Sequence, residues 1–387
     1  MITKAKSTVA SLLLLLGIGL LGVMLGGCTD PYLPSAIQNP PRLLVVDGFI
    51  NSKGATTLLL SRASNLAAPA APPAETKARV YVEELGGPSV QLTESPAGTY
   101  TSAARTLNPA KKYRLHLTTA AGQEFATDYQ PVVTTPPFDR FGWRAEPDGL
   151  KIFLATHDDA NATHFYRWQY EETWESIPIL IPSLEWRVPP AAPREGLFPI
   201  TTRFPRICWA TEKSTNIKLV NTTRLTRDAI PDYVVRALPT TSDRLHDRYS
   251  ILVTQAAQSE DEFHYWELLK KNTENIGTLF DPQPVQLTGN VRCLTDPAAL
   301  ALGFVGVHSV EQRRLFVERS QLPFDWNIAG EYGKCVPDTV RGLSIASAFG
   351  SPDYIPISAT VGGVLGIGRP CVDCRLHGTT VKPSFWP

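Results

Sequence analysis

The sequence predicts a mainly β protein: an N-terminal immunoglobulin- or transthyretin-like β-sandwich, a second β-sandwich-like unit with one inserted amphipathic helix, and a loop-rich, disulfide-linked C-terminus. Three observations carry that expectation. Short runs of branched and aromatic residues alternate with polar ones at period two, as in Val80 and Val82 or Tyr113, Leu115 and Leu117. Turn chemistry separates the runs, supplied by 33 prolines and 27 glycines in 387 residues. One segment alone, beginning at Ser259, changes to a helical period.

The chain opens with Lys4 and Lys6 ahead of an apolar stretch over 12–25, which is the layout of a signal peptide. A bilayer span calls for about 20 consecutive apolar residues, and this stretch is shorter and broken by glycines. Leu25-Gly26-Gly27-Cys28 looks like a lipobox, in which small residues admit a peptidase and the cysteine thiol receives diacylglycerol. Residues 1–27 are therefore expected to be a cleaved leader and Cys28 the lipid attachment site. Each buried acyl methylene contributes about 0.8 kcal/mol, so three chains on one terminus would hold the protein to a membrane. Residues 28–41 read as a tether, with four prolines between Asp30 and Pro41 and no periodic apolar pattern.

Lysine plus arginine equals aspartate plus glutamate, at 37 each. With no basic stripe, nucleic acid is not an expected partner. The 360 residues left after removing the leader suffice for two or three cores. Strand patterning over 42–130 forms the first sandwich, with an alanine- and proline-rich loop over 64–73. Residues 131–137 read as a linker. The second β-rich unit runs over 138–321, where Trp168 and Tyr170 alternate with Arg167 and Gln169, so one strand face is aromatic and buried. Within it, 177–199 is a proline-rich excursion. A helix over 259–272 follows a capping box of Ser259 and Glu262, and its stripe of Phe263, Trp266 and Leu269 reads as packing rather than as a ligand shelf. Asp281-Pro282-Gln283-Pro284 is a stiff turn, and 322–387 is a loop-rich segment packed on the second unit.

Beyond Cys28 there are five cysteines: Cys208, Cys293, Cys335, Cys371 and Cys374. Outside the inner membrane, structural disulfides are the expected state, and an odd count leaves one thiol unpaired. The expected pairing joins Cys335 to the Cys371/Cys374 pair, with Cys208 a further candidate and the connectivity open. Zinc would need Cys208 and Cys335 as additional ligands to the Cys-x-x-Cys spacing. A redox pair would sit beside a strand-helix-strand pattern, which is missing.

Three stretches together resemble one family. They are Pro41-Arg42-Leu43-Leu44-Val45-Val46-Asp47-Gly48-Phe49-Ile50, the run "YWELLKKNTENIGTLFDPQPVQLTGNV" from Tyr265 to Val291, and the ending "CVDCRLHGTTVKPSFWP". They are similar to the lipoproteins grouped as domain of unknown function 4249. The resemblance implies an outer-membrane lipoprotein of a Bacteroidota-type bacterium, with a TonB-dependent transporter as the partner. It carries no catalytic residues to transfer.

Chemical motifs are sparse. His157, Asp158 and Asp159 with His164 nearby form the best cluster of ligand-type side chains. They suit zinc or calcium in principle, but their composition is that of a turn between strands, which is the reading taken. The run Gly362-Gly363-Val364-Leu365-Gly366-Ile367-Gly368 has no following Lys-Ser/Thr and no surrounding βαβ unit, so it reads as a loop. There is no Gly-x-Ser-x-Gly elbow and no His-Glu-x-x-His pair. No cofactor is expected. The function expected is that of a non-enzymatic accessory or ligand-capture lipoprotein whose ligand the sequence does not name. The alternative is a surface hydrolase or metal-dependent enzyme on glycans or peptides, prompted by the His157 cluster and the acids Asp47, Glu83 and Glu84.

Overall fold

Period-two patterning becomes strand along the chain, as the computed structural model shows for residues 42–64, 71–274, 289–328 and 332–387. The leader 1–27, Cys28, the tether 28–41, most of the 64–73 loop and the Asp281–Pro284 turn lie outside the described residues. Everything below belongs to the unit formed by residues 43–61 and 74–387, apart from Arg62 at one strand end.

The first sheet system contains β1 (Leu44–Asn51), β2 (Thr57–Arg62), β3 (Arg79–Glu84), β4 (Ser89–Glu94), β5 (Thr99–Thr101), β6 (Lys112–Thr118) and β7 (Glu124–Ala126). Their order is β7-β6-β3-β4-β5-β2-β1. Alternate residues point inward, so Leu44, Val46, Leu58, Leu60, Val80, Val82, Leu115 and Leu117 share one core. The result is a β-sandwich-like unit in the region where the sequence predicts one.

The second unit begins with β8 (Phe138–Glu146), β9 (Gly149–His157), β10 (Phe165–Ser176), β11 (Cys208–Lys213), β12 (Lys218–Asn221), β13 (Ala229–Pro239) and β14 (Arg248–Ala257). β8, β9 and β13 make a three-stranded sheet. β11, β10, β14 and a later strand, residues 310–318, make the facing sheet, with β12 also paired to β10. Leu150, Ile152 and Leu154 of one sheet meet Tyr166, Trp168, Tyr249 and Ile251 of the other in a single core. The alternation read in β10 holds: Trp168 turns inward, where its indole donates to Gln255 Oε1 at 2.9 Å, and Arg167 turns to the opposite face.

That opposite face is covered by α1 (Glu260–Glu274). Phe263 stacks on Phe165 with ring centroids 5.0 Å apart. Only half of the expected capping box forms. Ser259 Oγ accepts from Glu262 N at 3.3 Å, but the Glu262 carboxylate turns inward instead of reaching back to the cap. It lies 3.4 Å from His308 Nε2 and accepts from Gln258 Nε2 at 2.8 Å. Burial pushes the Glu262 carboxyl up, and the His308 and Arg167 charges outweigh it, so its pKa is lowered overall.

Residues 290–308, read from sequence as part of the second unit, return to the first. β15 (Arg292–Cys293) pairs antiparallel with β7, and β16 (Ala301–Leu302) and β17 (Val307–His308) pair parallel with β1. Val291, Val305 and Val307 enter the first core. β18 (Val310–Glu318) then rejoins β14. The second-unit boundary of 138–321 is thus interrupted, because the apolar edge left beside β1 is filled by chain more than 250 residues downstream. Gly303 makes the approach possible. Its φ is +121° and an added Cβ would lie 2.0 Å from the Val46 carbonyl oxygen. Gly303→Ala is therefore expected to cost at least about 1–3 kcal/mol. Hydrogen exchange should show protection lost first over residues 301–308.

The linker over 131–137 is pinned rather than loose. Thr135 N donates to Ser309 Oγ at 2.9 Å, Thr135 Oγ1 donates to Ser309 O at 2.5 Å, and Ala257 N donates to Thr135 Oγ1 at 2.9 Å. The linker is thereby tied to the end of β14 and to Ser309 through buried hydrogen bonds in which the Thr135 and Ser309 hydroxyls take part.

The C-terminal segment is more ordered than a loop. β19 (Asp338–Val340), α2 (Ser344–Phe349), β20 (Tyr354–Thr360) and β21 (Gly363–Gly368) give a three-stranded sheet in the order β19-β21-β20. The glycine run predicted as a loop is strand β21. Its glycines serve close packing: a Cβ on Gly366 would lie 2.4 Å from the Tyr354 ring and 2.6 Å from that of Phe349. Ile357, Ile367 and Val372 form a small core with Leu180 of the excursion and Phe204 just beyond it. Disulfides join Cys208 to Cys374 and Cys335 to Cys371, leaving Cys293 as the free thiol among the described residues. Between the two half-cystines, the fully buried Asp373 is held by Arg375 Nε at 2.7 Å and Arg369 Nε at 3.0 Å. No helix among the described residues is long and apolar enough to cross a membrane.

Candidate functional site: a polar cleft and an exposed apolar module

Where the pinned linker passes Lys53 of the first unit and the turn after β9, a cleft of about 850 Å³ opens, with Glu311 of β18 on its wall. Such seams are where ligands tend to be held. The cleft absorbs part of the His157 cluster and resolves it into separate tasks. Asp158 is a turn residue: it accepts from the backbone N–H groups of Ala160, Ala162 and Thr163 at 3.1, 2.9 and 3.0 Å. Burial raises its carboxyl and these donors outweigh that, leaving its pKa low. Asn161 takes the positive φ of +51° that the turn requires.

His157 faces two carboxylates, with Nδ1 2.7 Å from Asp139 and Nε2 3.3 Å from Asp159. His164 stands apart, 3.3 Å from Thr222 Oγ1. The four residues that sequence grouped as ligand-type thus do not converge, and among the described residues no three His, Cys, Asp or Glu side chains are placed to hold a metal ion. Neither ring nitrogen of His157 is set against a hydroxyl or thiol nucleophile. What the cleft offers is Lys53 and His157 as cationic groups against Asp159 and Glu311, a set suited to holding a polar ligand.

The Asp139 carboxylate, assisted by Asp159, raises the His157 pKa above 6.5. The stabilisation linked to His157 is fully present below its unfolded value and is lost as pH rises through the raised folded value. An NMR titration of the imidazole should give a midpoint above about 6.5, and Asp139→Asn should move it down toward that value.

Of the acids considered for the alternative enzymatic reading, Glu83 and Glu84 are engaged elsewhere. Glu83 is bound by Arg114 Nε and His116 Nδ1, both at 2.7 Å, and His116 Nε2 reaches Glu124 at 2.6 Å. This is a cross-strand cluster on β3, β6 and β7. Glu84 accepts from Tyr113 OH at 3.1 Å.

The other feature was not legible in sequence. Phe324, Val336, Leu343, Val361 and Val381 are each at least 71 % exposed, with Leu343 fully so. All five lie in the C-terminal segment. Nothing in a residue-by-residue reading distinguishes them from core residues, since their exposure follows from how the cross-linked segment folds.

The comparisons with known proteins come to the following. Chitinase ChiA74 from Bacillus thuringiensis is a solved structure similar over 47% of this chain and 29% of its own, at 12% identity and a TM-score of 0.13, a likeness that carries no argument. No curated protein matches. The model of the family described as "Domain of unknown function (DUF4249)" matches residues 29–314, and the chain, built on the seam and sandwiches described above, belongs to that family.

Proposed function

We propose that the protein is an outer-membrane lipoprotein anchored through Cys28, acting as a non-enzymatic accessory or ligand-capture component beside a TonB-dependent transporter. The observation that carries this reading is the concentration of the most exposed large apolar side chains in the C-terminal segment. Isolated surface apolars are ordinary, whereas a contiguous exposed apolar patch marks contact with another macromolecule, and these side chains are read as parts of one. The segment is stiffened by two disulfides, so presenting those side chains costs little ordering entropy on contact. A lipid anchor confines the protein to a plane and raises the local concentration of a membrane partner there. The seam cleft supplies a place for a polar ligand.

The anchor is tested by mass spectrometry of the protein taken from the outer-membrane fraction. The mature chain is expected to begin at Cys28 with diacylglycerol on its sulfur, and Cys28→Ser is expected to leave the protein unlipidated and outside that fraction. A mature terminus elsewhere, or a Cys28→Ser protein still held in the membrane, contradicts the anchor.

A further inference from the structure

Arg167 presents a separate problem in physical chemistry. It sits on the outward face of β10, opposite Leu219 of β12 and Ala256 of β14, and α1 lies over it so that it is only 8 % exposed. Its guanidinium carbon stands 3.7 Å from the Trp266 ring centroid. A cation this buried is ordinarily paired. Among the described residues no carboxylate lies within ion-pair distance of it, its Nε has no hydrogen-bond partner, and its one hydrogen bond is Nη2 to Gln169 Oε1 at 3.5 Å. Glu262 and Asp47 act on it only at longer range, and Glu262 is already engaged by His308 and Gln258. The indole Nε1 of Trp266 is likewise buried and without a partner.

Both residues line one cavity of about 270 Å³ between α1, β10 and the 214–217 loop. Each of these two lining residues thus carries a buried N–H without a partner, and one of the two side chains is cationic. Their complement is a group that only accepts hydrogen bonds and carries negative charge, which describes a carboxylate. A single guanidinium suits one negative charge. Leu269 and Ile217 give the lining an apolar part, and the volume is that of a small ring or short chain.

We propose that this cavity binds a small organic carboxylate, with the Arg167 guanidinium and the Trp266 indole N–H as its anchors and Leu269 against its apolar portion. The site is distinct from the seam cleft and does not depend on the transporter partnership.

Fluorine NMR of the full chain labelled with fluorotryptophan tests it, because the eight tryptophans give separate resonances and Trp266→Phe assigns one of them. The probes are benzoate, its neutral counterpart benzamide, and inorganic phosphate. Benzoate is expected to shift the Trp266 resonance saturably, while benzamide and phosphate leave it in place. Arg167→Met keeps the volume and removes the unpaired charge, so the fold should hold and the other seven resonances should stay put. Its benzoate affinity should fall at least about tenfold, the loss of one charge-assisted hydrogen bond. Arg167→Lys, with its charge retained but its planar donors lost, should fall between the two. The proposal is overturned by a Trp266 resonance that benzoate does not move saturably, by an equal response to benzamide, by a response to phosphate alone, or by undiminished affinity in Arg167→Met.

Discussion

Replacing Cys208 and Cys374 by serine is expected to lower stability by about 2–5 kcal/mol and to loosen the C-terminal sheet from the second sandwich. The bond closes a separation of 166 residues, against 36 for Cys335–Cys371. On loop entropy alone the longer closure contributes about 1.4 kcal/mol more. Its position adds to that. Cys208 begins β11, opposite Ser176 of β10, and Cys374 is fully buried. Next to the bond, Trp209 and Thr379 exchange backbone hydrogen bonds at 2.8 and 3.0 Å, and further on Trp386 Nε1 donates to Glu175 at 2.9 Å. Without the cross-link the segment is held by these contacts, by its small core with Leu180 and Phe204, and by Ser183, whose N and Oγ donate to Ile357 O at 2.8 and 2.7 Å. Denaturant titration gives the energy, and hydrogen exchange should show residues 338–368 losing protection ahead of the sandwich. Cys293→Ser, which touches only the free thiol, should leave both readouts unchanged.

Glu172→Ala is expected to cost about 3–5 kcal/mol, the penalty for stranding buried partners of a charge. Glu172 is nearly inaccessible on β10. It accepts from Arg236 Nε at 2.9 Å, from Tyr249 OH at 2.6 Å and from Arg244 Nη1. The Tyr249 phenol is fully buried, and burial followed by the Glu172 charge pushes its pKa well above 10. Removing the carboxylate leaves the partly buried Arg236 guanidinium without its acceptor, Arg244 with Glu212 alone, and a fully buried phenol that has lost its acceptor. Thermal and denaturant unfolding should both register the loss. Tyr249→Phe added to Glu172→Ala should cost less than the sum of the two single changes, since the phenol is then no longer stranded.

What the sequence made legible follows the range of each signal. Period two and period 3.6 are local, so β3, β6, β10 and α1 could be read from their own residues. The cysteines could be counted, and the Cys335–Cys371 bond agrees with the pairing expected from them. Parallel pairing of β16 and β17 with β1 has no local signature, because β16 and β17 lie some 257 positions from their partners in β1 and are only two residues long apiece. The carboxylate of Glu262 was assigned to the cap for the same reason: the competing imidazole of His308 lies 46 positions away. Arg167 followed the polar side of its alternating strand, and nothing near it in sequence shows that α1 closes over that side. The glycine run of β21 lacks the side chains that announce strands, and its role emerges only against the rings of Phe349 and Tyr354. The Asp158 turn, by contrast, is closed by donors two to five positions away, and it agrees with the turn its composition predicts.

The proposed partnership makes the most direct demand on the molecule in its own membrane. Outer membranes solubilised in mild detergent, with the lipidated chain recovered by an affinity tag and the eluate resolved by size and mass spectrometry, should yield a transporter-sized β-barrel in fixed ratio to it. Leu343→Asp with Val361→Asp should abolish that recovery while the chain stays folded and lipidated. Recovery of the wild-type chain as a lone monomer, or a barrel retained equally by the double variant, would contradict the account.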